Sequence, residues 1–223
     1  MKSDAPGTRT DMDPAGTSSD AAGRVVDPRV YRALGEQFLR RPEADRVEAV
    51  GEWAGEWRRT TPSLPPEFDS ALGRIASGAD ADAETLRTEY TRLFRGISEG
   101  APDPPYESLY ADGQFYSGTT TEIRRGYRWA GVDVNDADGN EPPDHLGLEL
   151  QFLGELVAMD EVESDKHDVE DAQWWILDDH LTEWLPAFHA RVAREDPVAY
   201  YGGLVDLALA VVEAHHARLA SRR

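Results

Sequence analysis

The 223-residue chain contains no cysteine. The absence of thiols excludes disulfide frameworks, thiolate zinc sites and cysteine nucleophiles. Lysine is also scarce, since Lys2 and Lys166 are the only lysines among the 23 basic residues. Any redox chemistry associated with this protein is therefore expected to belong to a partner.

Long apolar runs are absent as well. The densest apolar stretch, residues 204–212, is interrupted by Asp206 and is shorter than the roughly 18 residues that a membrane helix needs. Residues 1–16 lack an apolar segment, so the sequence predicts neither a secretory signal nor a twin-arginine leader at this terminus. We expect a cytoplasmic protein that does not insert into a membrane.

Acidic residues outnumber basic ones by 43 to 23, which gives a formal net charge of −20. Because proteins that bind nucleic acids neutralise phosphates with clustered basic residues, this charge predicts no nucleic-acid partner. One hypothesis is adaptation to a salt-rich cytoplasm, where screening at about 1 M salt shortens the Debye length to about 3 Å. The alternative is an ordinary acidic protein encoded by a GC-rich genome.

The chain divides into a tail and one domain. Residues 1–26 are mostly Gly, Ser, Thr, Asp and Ala, which offer little apolar surface to offset the entropy of ordering, so we predict a disordered acidic tail. In residues 27–223 apolar side chains recur at helical spacing, without the alternation typical of strands. The sequence predicts an all-α domain, a single helical bundle of about eight helices.

Capping residues and apolar periodicity give the expected helix bounds. The first predicted helix begins with Asp27 as its cap and Pro28 as its first residue, and the last begins at Pro197. The helices between them are predicted at residues 42–59, 66–76, 82–95, 117–130, 146–157 and 169–194. Residues 96–110 are expected to form a non-helical loop because they are rich in proline. Pro186 is expected to kink or divide its segment, because its ring clashes with the preceding turn.

Motifs of common enzymes are missing from the sequence, which contains no dinucleotide fingerprint, phosphate loop, nucleophile elbow or H-E-x-x-H zinc motif. His145 and Glu149 are four residues apart and could share a metal ion, but a site needs three or four ligands. We therefore predict no catalytic residues, no metal and no cofactor. The alternative is a helical metal- or nucleotide-binding enzyme that uses Glu141, Asp144, His145 and Glu149.

The segment E-P-P-D-H, residues 141–145, precedes the most apolar helix of the chain. In one interpretation Asp144 simply caps that helix. In the other, Glu141, Asp144 and His145 form a binding site, because three polar groups converge where a cap needs one. Carboxylates beside an apolar wall would suit a peptide that combines an arginine with an apolar segment.

Such a wall could come from Tyr90, Leu93 and Phe94 and from the proline-rich loop that follows them. Core packing alone explains Leu93 and Phe94 equally well. Trp184 and Phe188 lie on the apolar face of their helix and are predicted to be architectural.

Four segments, in this order and spacing, resemble the family of redox-enzyme maturation chaperones typified by TorD, DmsD and NarJ. They are Y-T-R-L-F-R-G (residues 90–96), P-P-Y-E-S-L-Y (104–110), E-P-P-D-H (141–145) and H-L-x-x-W-L-P-x-F (180–188). The resemblance implies an all-helical cytoplasmic chaperone that binds the twin-arginine signal peptide and the apo form of a molybdopterin oxidoreductase subunit. Such a chaperone assists cofactor insertion and delays export.

The resemblance also implies a set of peptide-binding residues and a partner. The residues are Tyr90, Leu93, Phe94, Pro105, Tyr106, Glu141, Asp144 and His145. Relatives often carry tryptophan where this chain has Tyr90 and Tyr106, and proline where it has Ile97. The implied partner is a molybdopterin-dependent reductase catalytic subunit, and the chaperone itself would be a monomer or a helix-swapped homodimer. A scaffold for assembling a respiratory complex is a further alternative.

Overall fold

The computed structural model describes residues 26–97, 102–133, 141–162 and 166–223. Apart from one isolated β-bridge, the regular structure in these ranges is helical, which confirms the predicted all-α fold. The predicted tail lies outside the described residues except for Val26, which is buried. The disorder of the tail stays a prediction.

The helices follow the predicted order, and most of their ends agree within two or three residues. They are α1 (Pro28–Leu39), α2 (Ala44–Thr60), α3 (Pro66–Gly78), α4 (Ala83–Phe94), α5 (Glu107–Ala111), α6 (Gly118–Trp129), α7 (Leu146–Val162), α8 (Lys166–Ile176), a π-helical turn (Leu177–Leu181), α9 (Thr182–Arg194) and α10 (Ala199–Ala220). Across the described ranges, no helix combines the length and apolarity needed to cross a bilayer.

Aspartate caps begin two of the helices. The Asp27 carboxylate accepts a hydrogen bond of 2.8 Å from the backbone N–H of Arg29. The Asp82 carboxylate accepts from the N–H groups of Glu84 and Thr85 at 3.1 and 2.9 Å. Each cap satisfies backbone donors that a first helical turn leaves unpaired, so local sequence alone locates these helix starts.

Helix α7 lies at the centre of the domain and is buried around most of its circumference. It crosses α1 at a contact between glycines: a Cβ added to Gly35 would lie 2.6 Å from the carbonyl oxygen of Gly147, and one added to Gly147 would lie 2.7 Å from that of Gly35. Side chains do not fit at such distances. The two glycines therefore allow α1 to pack directly on the first turn of α7.

Helix α10 contributes a second buried surface. The residues predicted to share its inner face, Leu204, Ala208, Val211, His215 and Leu219, are all buried. His215 pairs with the Tyr31 hydroxyl at 2.9 Å and the Gln173 side chain at 3.0 Å. Burial, assisted by nearby arginines, lowers the pKa of His215 to about 3, so this histidine is a neutral core residue.

The expected break at Pro186 occurs earlier in the chain than predicted. The segment is divided at the π-helical turn, and Pro186 lies inside α9. A proline ring clashes with the carbonyl group four residues before it, which here is Thr182, the first residue after the π turn. The last helix likewise begins at Ala199, two residues after Pro197.

Gly96 ends α4 and brings two motif segments together. Its φ of 60° lies in the left-handed region, which favours glycine. A Cβ added to Gly96 would lie 2.9 Å from the Cδ atom of Pro104, so the close contact also requires glycine. The end of α4 therefore lies beside the start of the P-P-Y-E segment.

Candidate functional site

The segments P-P-Y-E and E-P-P-D-H pair with each other along their backbones. Tyr106 and His145 form an antiparallel β-bridge. The N–H of Glu107 donates to the carbonyl oxygen of Asp144, and the N–H of Leu146 donates to that of Pro105, both at 2.9 Å. We call this pairing the motif bridge. It places two segments distant in sequence at the entrances of α5 and α7.

The structure corrects the cap interpretation of Asp144. Its Oδ2 atom accepts a hydrogen bond of 3.1 Å from the N–H of Ser108, so it caps α5 and not the helix that follows it. The cap of α7 is His145, whose Nδ1 atom accepts from the N–H of Gly147 at 3.0 Å. The bridge turns the Asp144 side chain toward the neighbouring segment.

The expectation that residues 96–110 form a wholly non-helical loop was also wrong. The proline run ends at Pro105, and Glu107 begins the five-residue helix α5. Helices this short are marginal on their own. The Asp144 carboxylate and the motif bridge supply the backbone partners that hold α5 in place.

The cap predicts how Asp144 variants behave. Asp144→Asn is expected to leave thermal stability nearly unchanged, because asparagine caps about as well as aspartate. Asp144→Ala is expected to lower the free energy of unfolding by about 1 kcal/mol, since the Ser108 N–H loses its acceptor. Urea unfolding of both variants checks this. A loss with asparagine as large as with alanine would show that the carboxylate charge is itself needed for folding.

Behind the motif bridge lies a group of buried titratable side chains, which we call the buried acidic cluster. It consists of Glu107, Asp144, Glu149 and His180, all nearly inaccessible to solvent. His180 Nδ1 lies 2.8 Å from Glu107 Oε1, and the indole N–H of Trp184 donates to Glu149 Oε2 at 3.2 Å. The cluster therefore links α5, α7, the π turn and α9.

Burying Glu149 in this cluster has an electrostatic cost. Burial raises its pKa well above the ordinary value, and the charges of Glu107 and Asp144 raise it further. Among the described residues, neither Glu149 Oε1 nor Glu107 Oε2 has a hydrogen-bond donor. A proton on Glu149 supplies one, because the neutral acid can donate to the Glu107 carboxylate. The geometry and the raised pKa both indicate a neutral Glu149.

Toward the surface, Glu141 accepts hydrogen bonds from Arg95 and Tyr106. Arg95 donates from its guanidinium NH1 to Glu141 Oε1 at 2.8 Å, and the Tyr106 hydroxyl donates to Glu141 Oε2. Burial raises the pKa of Glu141, but these hydrogen bonds, together with the nearby charges of His145 and Arg95, outweigh it, so the pKa lies below the ordinary value. Glu141 is therefore an anion, and Arg95 compensates its charge.

An exposed aromatic surface begins beside this anion. The ring of Phe115 contacts that of Tyr106 at a centroid distance of 5.0 Å, and Tyr106 contacts His145 at 4.9 Å. Phe115 is 47% exposed and its neighbour Tyr116 is 72% exposed. Tyr116 also has a φ of 56°, which is uncommon for a bulky residue. We call Phe115 and Tyr116 the aromatic ledge.

Three predicted peptide-binding residues lie in the core. Tyr90, Leu93 and Phe94 are all buried, and the Tyr90 hydroxyl donates to the carbonyl oxygen of Phe38 at 2.9 Å. The ring of Phe94 packs near that of Phe188. These residues support the end of α4 from below. Their role in binding a peptide stays a prediction.

The other five predicted residues are brought together. Pro105, Tyr106, Asp144 and His145 form the motif bridge, and Glu141 contacts Tyr106 beside it. The sequence did not predict four further parts of this region, namely Glu107, His180, Arg95 and the aromatic ledge. The first three residues lie inside the motif segments, so the motifs could have indicated them. The aromatic ledge lies outside every motif segment, and nothing in the sequence marks it.

The alternative of a metal site finds no support in the described ranges, which contain no group of three histidine or acidic residues able to hold a metal ion. His145 and Glu149, although four residues apart, point to different partners. His145 Nδ1 accepts from Gly147, and Glu149 accepts from Trp184.

Comparisons with known proteins match the region that contains all four motif segments. The model of the nitrate reductase delta subunit family matches residues 61–190. A chaperone protein TorD of Vibrio vulnificus is 34% identical over 150 residues, which cover 64% of this chain and 67% of that protein. A chlorate reductase assembly chaperone protein of Ideonella dechloratans is 32% identical over 197 residues, covering 86% and 89%. These relatives are named as chaperones and not as catalysts.

A solved structure from Archaeoglobus fulgidus, described as that of a candidate redox enzyme maturation protein, covers 82% of this chain and 93% of its own. Its TM-score is 0.49 at 23% sequence identity.

Proposed function

Since this chain belongs to the nitrate reductase delta subunit family, which includes the TorD chaperones, we propose that it is a cytoplasmic assembly chaperone. Its client is the apo form of a molybdopterin oxidoreductase subunit that carries a twin-arginine signal peptide. The chaperone binds the signal peptide, assists cofactor insertion and delays export. The names of the relatives support an oxidoreductase client, since one is a chlorate reductase assembly chaperone.

The observation that carries the proposal is the aromatic ledge beside the anionic Glu141, at the place where the motif segments meet. Exposed aromatic side chains next to a charged partner are typical of peptide-binding surfaces. We propose that the apolar part of the signal peptide lies on the ledge and that one of its arginines meets Glu141.

In this proposal the buried members of the site act from behind the surface. His145 and Asp144 hold the backbone of Tyr106 and the start of α5, while Tyr90, Leu93 and Phe94 support Arg95 from the core. Asp144→Asn is then expected to retain peptide affinity as well as stability. A loss of affinity at unchanged stability would instead place Asp144 in direct contact with the peptide.

The test of the ledge is titration of a labelled twin-arginine signal peptide, fused to a soluble carrier, at constant high salt. We expect saturable binding to the wild-type protein and at least tenfold weaker binding to the double variant Phe115→Ser, Tyr116→Ser, since truncating an anchor aromatic costs about 2 kcal/mol. The matched control is Trp129→Ser on α6, which removes another exposed aromatic, 61% accessible. Equal affinities of all three proteins would exclude the ledge as the site.

The client is to be identified by retrieving the tagged protein from its native cells and analysing the bound proteins by mass spectrometry. We expect a reductase catalytic subunit that retains its signal peptide. The alternative of an assembly scaffold predicts a different result, because a scaffold would bind the mature subunit equally well after removal of the signal peptide.

A further inference from the structure

The carboxylate proposed to meet the peptide's arginine already holds an arginine of this chain. Arg95 NH1 lies 2.8 Å from Glu141 Oε1, and the Tyr106 hydroxyl occupies Oε2. The Glu141 side chain is 12% exposed, whereas that of Arg95 is 36% exposed. The anion is thus mostly enclosed, whereas its cation reaches solvent.

An arginine from a peptide competes with Arg95 for Glu141, because two guanidinium groups at one carboxylate repel each other and the carboxylate neutralises only one of them. A guanidinium binds a carboxylate best through two parallel N–H groups, and both Glu141 oxygens have donors in the free protein. We propose that Arg95 is an internal competitor for the arginine of the bound peptide, which must displace it from Glu141. This inference rests on the proposed function.

Arg95 is well placed to leave. It is the C-cap residue of α4, immediately before Gly96, and its guanidinium can move from the carboxylate into water. Arg92, one turn earlier, differs because it is held by Glu89 and also by Glu195 from the far end of α9. Displacing Arg95 therefore requires a side-chain movement and no rearrangement of a helix.

The exchange also gives the site a preference for arginine. A mostly enclosed carboxylate that loses Arg95 without a replacement cation loses this ion pair, at an electrostatic cost. Only a peptide that brings its own guanidinium restores the pair. Because one arginine replaces another, the number of ion pairs does not change, and this contact makes wild-type affinity only weakly dependent on salt.

The test compares Arg95→Gln with Arg87→Gln. Arg87 is an exposed arginine on the same helix, so both variants change the net charge equally while Arg87→Gln leaves Glu141 paired. The probes are the twin-arginine signal peptide on its carrier and the same peptide with both arginines replaced by glutamine. We expect Arg95→Gln to bind the arginine peptide about tenfold more tightly than wild type does. We expect it to bind the glutamine peptide with the same affinity as wild type.

Arg87→Gln is expected to match wild type with both probes, and the tighter binding of Arg95→Gln should decline as salt rises. Equal or weaker binding of the arginine peptide by Arg95→Gln, at an unchanged melting temperature, would overturn the inference while leaving the proposed function intact. If neither wild type nor either variant binds the arginine peptide, both the inference and the proposed function are wrong. If Arg95→Gln is less stable, Glu141→Gln decides instead, because it should abolish the preference for the arginine peptide.

Discussion

At pH 7, Glu149→Gln is expected to be more stable than the wild-type protein, although Glu149 is fully buried in the centre of the fold. Glutamine has nearly the same shape as a protonated glutamate. Its amide group can donate to Glu107 and its oxygen can accept from the indole of Trp184. The substitution therefore keeps the contacts that Glu149 makes in the buried acidic cluster and removes the titratable group at position 149.

The sign of the effect follows from the raised pKa of Glu149. Burial is its main cause, and the charges of Glu107 and Asp144 add to it. Above the ordinary value of 4.5, the unfolded chain releases this proton while the folded protein retains it. Unfolding then releases a proton, so rising pH favours the unfolded state by about 1.4 kcal/mol per pH unit. This continues until the pH reaches the pKa that Glu149 has in the folded protein.

The difference between the two proteins should therefore grow with pH. Between pH 5 and pH 7 we expect the advantage of Glu149→Gln to increase by up to about 2.7 kcal/mol. Urea unfolding at a series of pH values, in about 1 M KCl to screen the net charge, measures it. Glu48→Gln is the matched control, because Glu48 is an exposed glutamate on α2 and its replacement should leave the pH profile unchanged.

Parallel stability curves for wild type and Glu149→Gln would mean that Glu149 is ionised in the folded protein. The buried acidic cluster would then contain an uncompensated charge, and a cation or an unidentified donor would have to be sought there. Glu149→Ala is not an equivalent test, since it leaves a cavity and deprives both Glu107 and Trp184 of a partner.

The features that local sequence predicts well are those decided within one or two helical turns. Asp27 and Asp82 cap the helices that they precede, and the apolar residues of α7 fill the centre of the domain as their density indicated. The cap partners lie within a few residues, and the apolar density of α7 is a property of that segment itself, so spacing alone carries the information.

The parts that sequence predicted poorly depend on contacts between distant residues. Asp144 caps α5, 36 positions before it, because the motif bridge exists only in the folded chain. His180 pairs with Glu107 from 73 positions away. Helical spacing places His180 on a helix and Asp144 just before α7, but it cannot show which residues face them.

The exposure of a side chain is similarly invisible in the sequence. Tyr106 and Phe115 are both aromatic and nine positions apart, yet one is buried and the other half exposed. Tyr90 and Phe94, whose motif suggested a peptide contact, lie under the surface that Arg95 and Glu141 form. The motifs identified the region, and the structure separates the residues that reach its surface from those that support it.

Truncating Trp184 is expected to cause the largest loss of stability. Its ring is buried, packs near those of Tyr110 and Phe188, and donates its N–H to Glu149. Trp184→Ala should lower the free energy of unfolding by about 3 to 5 kcal/mol, through the lost apolar contacts and the cavity that remains. This is a large fraction of the stability of a typical domain, so expression should fall as well.

Two matched variants separate the causes of that loss. Trp129→Ala removes an exposed tryptophan on α6 and should change stability by less than about 0.5 kcal/mol. Trp184→Phe keeps most of the packing but leaves Glu149 without the indole donor, at an expected cost of about 1 to 3 kcal/mol.

A double-mutant cycle between Trp184→Phe and Glu149→Gln measures the coupling between the aromatic packing and the buried acidic cluster. We expect the two effects to be nearly additive, because the glutamine oxygen of Glu149→Gln still accepts from the indole N–H. A stable Trp184→Ala protein that had lost only peptide binding would contradict this account, since it would show that Trp184 contacts the client rather than supporting the fold.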